Sequence, residues 1–254
     1  MVGITRHCVK HNFLVKQVDG LANTIKKAFY LARTGRPGPV IIDVAKDVTQ
    51  ALHKFCYPQE QPFIRSYQPV IHAHKGQIKK AVQLFALAKR PVVFFGGGIV
   101  LANAEEELRR WIQLTGVPCI SSLMGLGAYS ASHPQFLGMV GMHGTYEANM
   151  AMQQADMVLA LGVRFDDRVI SVPEKYLATA KKIIHIDIDP SSIAKRVPVN
   201  VPIVGDIKLA LQAMTYQWEE KRLILDHKGL QCWWECICLL YTSPSPRAKR
   251  QSRM

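Results

Sequence analysis

Short, largely apolar runs recur along the chain: "PVVFF" from Pro91, "VPCI" from Val117, "MVLAL" from Met157, "KIIHIDI" from Lys182 and "VPIV" from Val201. Such runs are too short for buried helices, and apolar residues at consecutive positions suit strands covered on both faces. Between them lie segments with apolar residues at helical spacing. Leu21, Ile25, Ala28, Phe29 and Ala32, for example, share one face of a helix expected from about Gly20 to Arg33. Strands and helices in alternation imply a parallel sheet with helices on both faces, an α/β fold. Ligands of such sheets bind beyond the carboxyl ends of the strands.

Further along, "GRPGPVIIDV" reads as a turn and a short buried strand, and the polar stretch from Thr49 to about Gly76 as a linker. Helices are expected near Gln77–Leu87, Glu105–Arg110 and Tyr146–Ala155, after Ser191, and from Ile207. Beyond about Arg222 the periodicity fades. Residues 223–254 hold three of the six cysteines and two of the four tryptophans, and "LLYTSPSPR" resembles translated sequencing-adapter read-through. The expectation is a non-native tail that lies outside the fold.

With 254 residues and 48% hydrophobic content, the chain has room for one large domain or two small ones. No apolar run reaches the ~18 residues that span a bilayer, and the first twenty residues lack a signal-peptide pattern. Cys8, Cys56 and Cys119 show no paired spacing, which favours reduced thiols and a cytoplasmic location. "CWWECIC" lacks the second ligand pair that a zinc site needs. The net charge of +13 is spread over pairs such as Lys26 and Lys27, Lys79 and Lys80, Arg109 and Arg110, and Lys181 and Lys182. Without interleaved aromatic residues, this is the charge of solvated helix faces rather than of a nucleic-acid or membrane partner.

The strand ends carry the chemistry. "FFGGGIV" ends in Gly96, Gly97 and Gly98, where missing Cβ atoms admit a phosphate or a ring. "GMHGT" places Gly144 and the capping residue Thr145 before a helix, whose start favours an anion. "LALGVRFDDR" supplies Arg164, a permanent cation able to grip phosphate through two hydrogen bonds. "HIDIDP" supplies Asp187, suited to ribose hydroxyls, and "VGD" supplies Asp206, a helix cap or a nucleotide contact. Each has a plainer reading taken alone. Four strands ending in glycine or charge point together to a dinucleotide, but the spacing is not G-x-G-x-x-G, so an ordinary NAD fingerprint is missing.

"VKHNFLV", "GRPGPVIIDVAKDV", "SLMGLGA", "GMVGMHGTYEANMAM", "LGVRFDDR" and "HIDIDPSSI", in this order, resemble the acetolactate synthase (acetohydroxyacid synthase) large-subunit family of thiamine-diphosphate enzymes. The likeness covers about residues 1–220. It implies that residues 1–48 are the last part of a pyrimidine-binding α/β domain, joined through 49–75 to a Rossmann-like, FAD-binding central domain over 76–214. It also implies condensation of two pyruvates, or of pyruvate with 2-ketobutyrate, with loss of CO2, in branched-chain amino-acid synthesis. The implied cofactors are FAD, thiamine diphosphate and Mg2+, and the implied assembly is a dimer or tetramer of large subunits with a small regulatory subunit.

Carried over by motif, the FAD positions are Arg36, Gly96, Gly97, Gly98, Met142, His143, Gly144, Thr145, Gly162, Val163, Arg164, Asp166, Asp187, Ile188 and Asp206. Arg168 and Lys46 match substrate-channel positions. The family's activating glutamate and its metal-binding Gly-Asp-Gly motif have no counterpart in this stretch, so a chain of this extent is expected to be inactive alone, with "PVIID" left as a strand without its neighbours. His7 and Cys8 stand where the family usually has Pro followed by a small or β-branched residue, and Ala45 where Pro is usual. Two other classes stay open. One is a flavin- or NAD-binding module of a relative such as glyoxylate carboligase or pyruvate oxidase. The other is a basic nucleic-acid-binding protein.

Overall fold

The computed structural model describes residues 1–177 and 181–242, and divides the chain into two compact units that meet in sequence between Val70 and Ile71. In the first unit the helices are α1 (Val2–Thr5), α2 (Leu21–Arg33) and α3 (Lys46–Gln50), and the strands are β1 (His11–Val15) and β2 (Val40–Val44). The strand in "PVIID" is not left alone: it pairs in parallel with β1, from His11 opposite Val40 to Val15 opposite Val44. Residues 49–70 are more than a bare tether. The Tyr67 hydroxyl donates to the Thr34 carbonyl (2.6 Å), and Lys26 Nζ donates to the Pro58 carbonyl (2.6 Å).

Lys10 ties this unit together. Its ammonium donates to the carbonyls of Leu31, Thr34 and Arg36 and contacts the Tyr67 hydroxyl, all within 2.9 Å. A cation at the end of α2 satisfies carbonyls that the helix leaves orphaned and opposes the negative end of its dipole.

The second unit runs through α4 (Lys75–Ala86), β3 (Pro91–Phe95), α5 (Gly97–Leu101), α6 (Glu105–Thr115), β4 (Cys119–Ser121), β5 (Phe136–Met139), α7 (Tyr146–Gln154) and β6 (Met157–Leu161). It continues with α8 (Pro173–Leu177), β7 (Lys182–Asp187), β8 (Val201–Val204), α9 (Ile207–Glu220) and α10 (His227–Thr242). Six strands form one parallel sheet in the order β5-β4-β3-β6-β7-β8. The chain starts in the middle, builds outward to one side, then returns to build the other. This is the order of doubly wound dinucleotide-binding sheets, and the reversal between β3 and β6 is its switch point.

Successive residues of each strand feed opposite layers. Val93, Phe95, Leu159, Leu161, Ile184 and Ile186 pack under α4, α6 and α9, while Val92, Phe94, Val158, Ala160 and Ile183 pack under α7 and α10. In α6 three acids, Glu105 to Glu107, occupy the first turn, where they favour the positive helix end, and Leu108, Trp111, Ile112 and Thr115 form the buried stripe.

Two expectations fail here. No helix follows Ser191: Asp189 accepts hydrogen bonds from the Ser191 amide (2.9 Å) and hydroxyl (2.7 Å), closing a single 3-10 turn at Pro190–Ser192. Such side-chain bonds compete with helix continuation. Nor does the segment after Arg222 lie outside the fold, because α10 buries Trp233 and Ile237 in the second core layer. The Trp233 indole donates to the Pro91 carbonyl (3.1 Å) and that of Trp234 to the Gly116 carbonyl (3.0 Å). The remainder of the segment, 243–254, lies outside the described residues.

Candidate functional site

The central strands end flush. Phe95 stands opposite Leu161, Leu161 opposite Ile186, and Asp187 opposite Val204. Just past the ends, the Gly96 amide donates to Leu161 (3.0 Å), that of Gly162 to Ile186 (2.9 Å) and that of Gly205 to Asp187 (3.1 Å). Gly96 to Gly98, Gly162 to Arg164, Asp187, Ile188 and Asp206 therefore leave the sheet along one edge, centred on the switch point.

The glycines there also let backbone approach backbone. A Cβ on Gly98 would lie 2.6 Å from the Gly162 Cα, and one on Gly96 would lie 2.6 Å from the Gly162 carbonyl oxygen. Gly162 itself sits at φ +58°, in the left-handed region. The close approach is between backbone and backbone, and it seats α5 against the turn that follows β6. Gly97 faces Met124, in the 3-10 turn Leu123–Gly125 after β4.

A second loop closes on the same edge. The Thr145 hydroxyl caps α7, accepting from the Ala148 amide (3.2 Å) while donating to the Leu137 carbonyl (2.9 Å). Asn149 grips Gly141 on both sides, accepting from its amide (2.9 Å) and donating to its carbonyl (3.1 Å). The Met142 amide then donates to the Arg168 carbonyl (2.9 Å), joining "GMHGT" to "RFDDR". Gly144 lies so close to the Met139 and Val140 backbone that any Cβ would collide with it. Met142 and His143 are exposed on the outer side of this loop.

Charge at the edge is unevenly committed. The Arg164 side chain is 60% exposed and makes only a loose ion pair with Asp166 at 4.0 Å, a contact worth little in water. Arg168 is exposed. Asp187, nearly buried, accepts from the Asp189 amide (2.8 Å). Asp206 caps α9 by accepting from the Leu209 amide (3.1 Å), as its plainer reading has it. Arg36 and Lys46 belong to the first unit: Arg36 lies in the turn held by Lys10, and Lys46 opens α3.

Three residues were not singled out as site candidates in the sequence. Ser121 ends β4 with its buried hydroxyl unpartnered among the described residues, as is Oδ1 of Asp166. His185, fully buried on β7, bonds through Nε2 to the Val163 carbonyl (2.8 Å), and burial pushes its pKa down to about 4. The Asn149 contacts had one signal available, a polar amide inside an otherwise apolar and small-residue helix face in "YEANMAM".

Residues 78–214 match the family described as thiamine pyrophosphate enzyme, central domain. The chain is 50% identical over 240 residues to the acetolactate synthase large subunit of Haemophilus influenzae, a span covering 93% of this chain and 41% of that protein. It is 45% identical over 260 residues to acetolactate synthase isozyme 3 large subunit of Escherichia coli, covering 99% of this chain and 45% of that one. With the acetolactate synthase of Mycobacterium leprae, identity is 45% over 209 residues, 82% of this chain and 33% of that protein. The resemblance read from the motifs is thus borne out, and the Escherichia coli match extends through most of the segment expected to be foreign. The chain spans less than half the length of these relatives. Matched over 78–214 on an α/β sheet of this order, the chain belongs to the thiamine pyrophosphate enzymes and carries their central domain.

Proposed function

We propose that the chain is the flavin-nucleotide-holding part of an acetolactate synthase large subunit, the enzyme that joins two pyruvates, or pyruvate and 2-ketobutyrate, with loss of CO2. The observation that carries this reading is the switch-point edge, where Arg164 stands exposed between glycine turns on the sheet order used for dinucleotides. The names of the relatives favour acetolactate synthesis over another thiamine-dependent carboligase.

In this reading the Arg164 guanidinium meets the FAD diphosphate with paired, charge-assisted hydrogen bonds. The start of α7, ordered by Thr145 and Asn149, offers amides to the same anion. The unpartnered Ser121 hydroxyl and Asp166 Oδ1 fit a polyhydroxylated ligand, which would give each a hydrogen bond. Asp187 and Ile188 hold the sugar side, while Asp206 acts mainly through the α9 cap. Arg36 as a flavin position and Lys46 and Arg168 as substrate-channel positions are carried over from the family resemblance alone. Thiamine diphosphate with Mg2+ supplies the carbanion chemistry in the whole enzyme, which includes partner large subunits and a small regulatory subunit.

The test is FAD titration of the full chain followed by flavin fluorescence, with folding checked by circular dichroism. Losing a charged partner in a partly desolvated site costs about 2–5 kcal/mol, so Arg164→Ala should weaken FAD binding at least 30-fold. Asp206→Asn keeps a good cap and should stay within threefold of the parent. Equal affinity of the parent and Arg164→Ala removes Arg164 from the site, and displacement of FAD by equimolar NAD argues for a different nucleotide.

A further inference from the structure

His185 is itself fully buried, yet it holds the turn on which the proposed site depends. It sits on β7 beside Ala160 of β6, and its Nε2 lies 2.8 Å from the carbonyl oxygen of Val163, three residues further along. A carbonyl can only accept, so Nε2 carries the proton and the ring is the neutral Nε2–H tautomer. The other nitrogen, Nδ1, is buried with no partner among the described residues. The ring also meets the Phe165 ring edge-on, with centroids 5.3 Å apart. Val163 and Phe165 flank Arg164, and one imidazole contacts both.

The turn needs such an anchor, because two of its residues adopt left-handed backbone: Gly162 at φ +58° and Phe165 at φ +48°. For a bulky residue that conformation is strained and persists only where its surroundings impose it. The Val163 carbonyl and the Arg164 amide belong to one planar trans peptide and point in opposite directions. A carbonyl drawn inward to His185 therefore turns the Arg164 N–H outward, where no backbone carbonyl among the described residues accepts it.

We propose that His185 is a positioning residue of this site: by holding the Val163 carbonyl and the Phe165 ring from below, it aims the Arg164 amide and guanidinium at an anionic nucleotide. Its role in binding rests on the flavin reading above; its role in ordering the turn does not.

Two variants separate the hydrogen bond from the packing. His185→Gln places an amide N–H near the position of Nε2, whereas His185→Met fills similar volume with no donor; His185→Leu stands in should the Met variant not fold. In the full chain, FAD affinity is expected to fall at least tenfold in His185→Met and to stay within threefold of the parent in His185→Gln. Trypsin provides a ligand-free measure of the turn, because Arg164 and Arg168 are both exposed. Cleavage after these residues should accelerate at least fivefold in His185→Met and be restored in His185→Gln, with cleavage after the exposed Lys54 unchanged. Met and Gln variants that match in FAD affinity and in trypsin rate overturn the assignment. A parent chain that binds no FAD overturns the flavin reading and the binding role with it. The trypsin ratio then still decides whether His185 orders the turn.

Discussion

Replacing Trp233 with alanine tests whether α10 is an integral part of the second unit. The side chain is 1% exposed, lies in the layer formed by Val92, Ala151, Met152 and Val158, and donates its indole N–H to Pro91 at 3.1 Å. Truncating a buried aromatic residue of this size costs about 3–5 kcal/mol in lost transfer energy and residual cavity. For a unit of this size each kcal/mol lowers the melting temperature by about 2–4 °C, so a drop of about 6–20 °C is expected. Trp233→Phe keeps most of the packing and loses the hydrogen bond, worth about 0.5–1.5 kcal/mol, and should fall in between. All four tryptophans of the chain lie in the second unit. Thermal melting followed by tryptophan fluorescence therefore reports on that unit alone, with Trp111 and Trp218, 5.4 Å apart, and Trp234 remaining as the probe. Leu239→Ala, at an exposed position of the same helix, should change the midpoint by less than about 2 °C, since surface changes stay within about 0.5 kcal/mol. A Trp233→Ala midpoint as close to the parent as that of Leu239→Ala would refute the docking of α10.

Two further outcomes follow from the second unit. His185 has its folded pKa pushed down to about 4 from 6.5 by burial, so the unfolded chain binds the extra proton first. The stability this contributes is complete above about pH 6.5 and is lost as pH falls through the window down to about 4, by about 3 kcal/mol in total; urea unfolding at pH 7, 5.5 and 4.5 should show the loss, and His185→Gln should flatten it. Gly162→Ala sets a Cβ 2.5 Å from the Gly98 Cα at φ +58° and should cost more than about 2 kcal/mol, whereas at Gly127, with open space around the same position, alanine meets only the backbone penalty; paired melting curves give the difference.

The sheet was legible because its central strands are apolar at nearly every position, a pattern that amphipathic helices and solvent-facing strands do not share. Elements without that signature escaped. In "FLGM", β5 has only four residues, with Gly138 at φ +106° and a register shift against β4. In α10, Leu230, Trp233, Trp234 and Ile237 do recur at helical spacing, but the cysteines, tryptophans and adapter-like residues around them obscured the period. The site divides in the same way. Arg164, Asp187 and Asp206 stood out because charge directly follows an apolar run. Ser121 and His185 matter only through neighbours distant in sequence, such as the Val163 carbonyl that His185 bonds 22 residues away, and no local pattern carries such a relation.

The indole of Trp233 closes a contact with a carbonyl 142 residues earlier in the chain. At ribosomal rates of about 5–20 residues per second, Pro91 waits roughly 7–30 s after its own synthesis for that partner to be made. For about the first half of this interval β3 can pair with β4 while β6 is still to be made, and for all of it the apolar layer beneath α10 faces water. A nascent chain in this state presents an unpaired strand edge beside uncovered aromatic residues, the kind of surface that holding chaperones recognise and that drives aggregation when none is present. The last helix thus sets when the second unit becomes safe from its neighbours on the polysome, and slowing translation between β6 and α10 should raise the insoluble fraction of newly made chain.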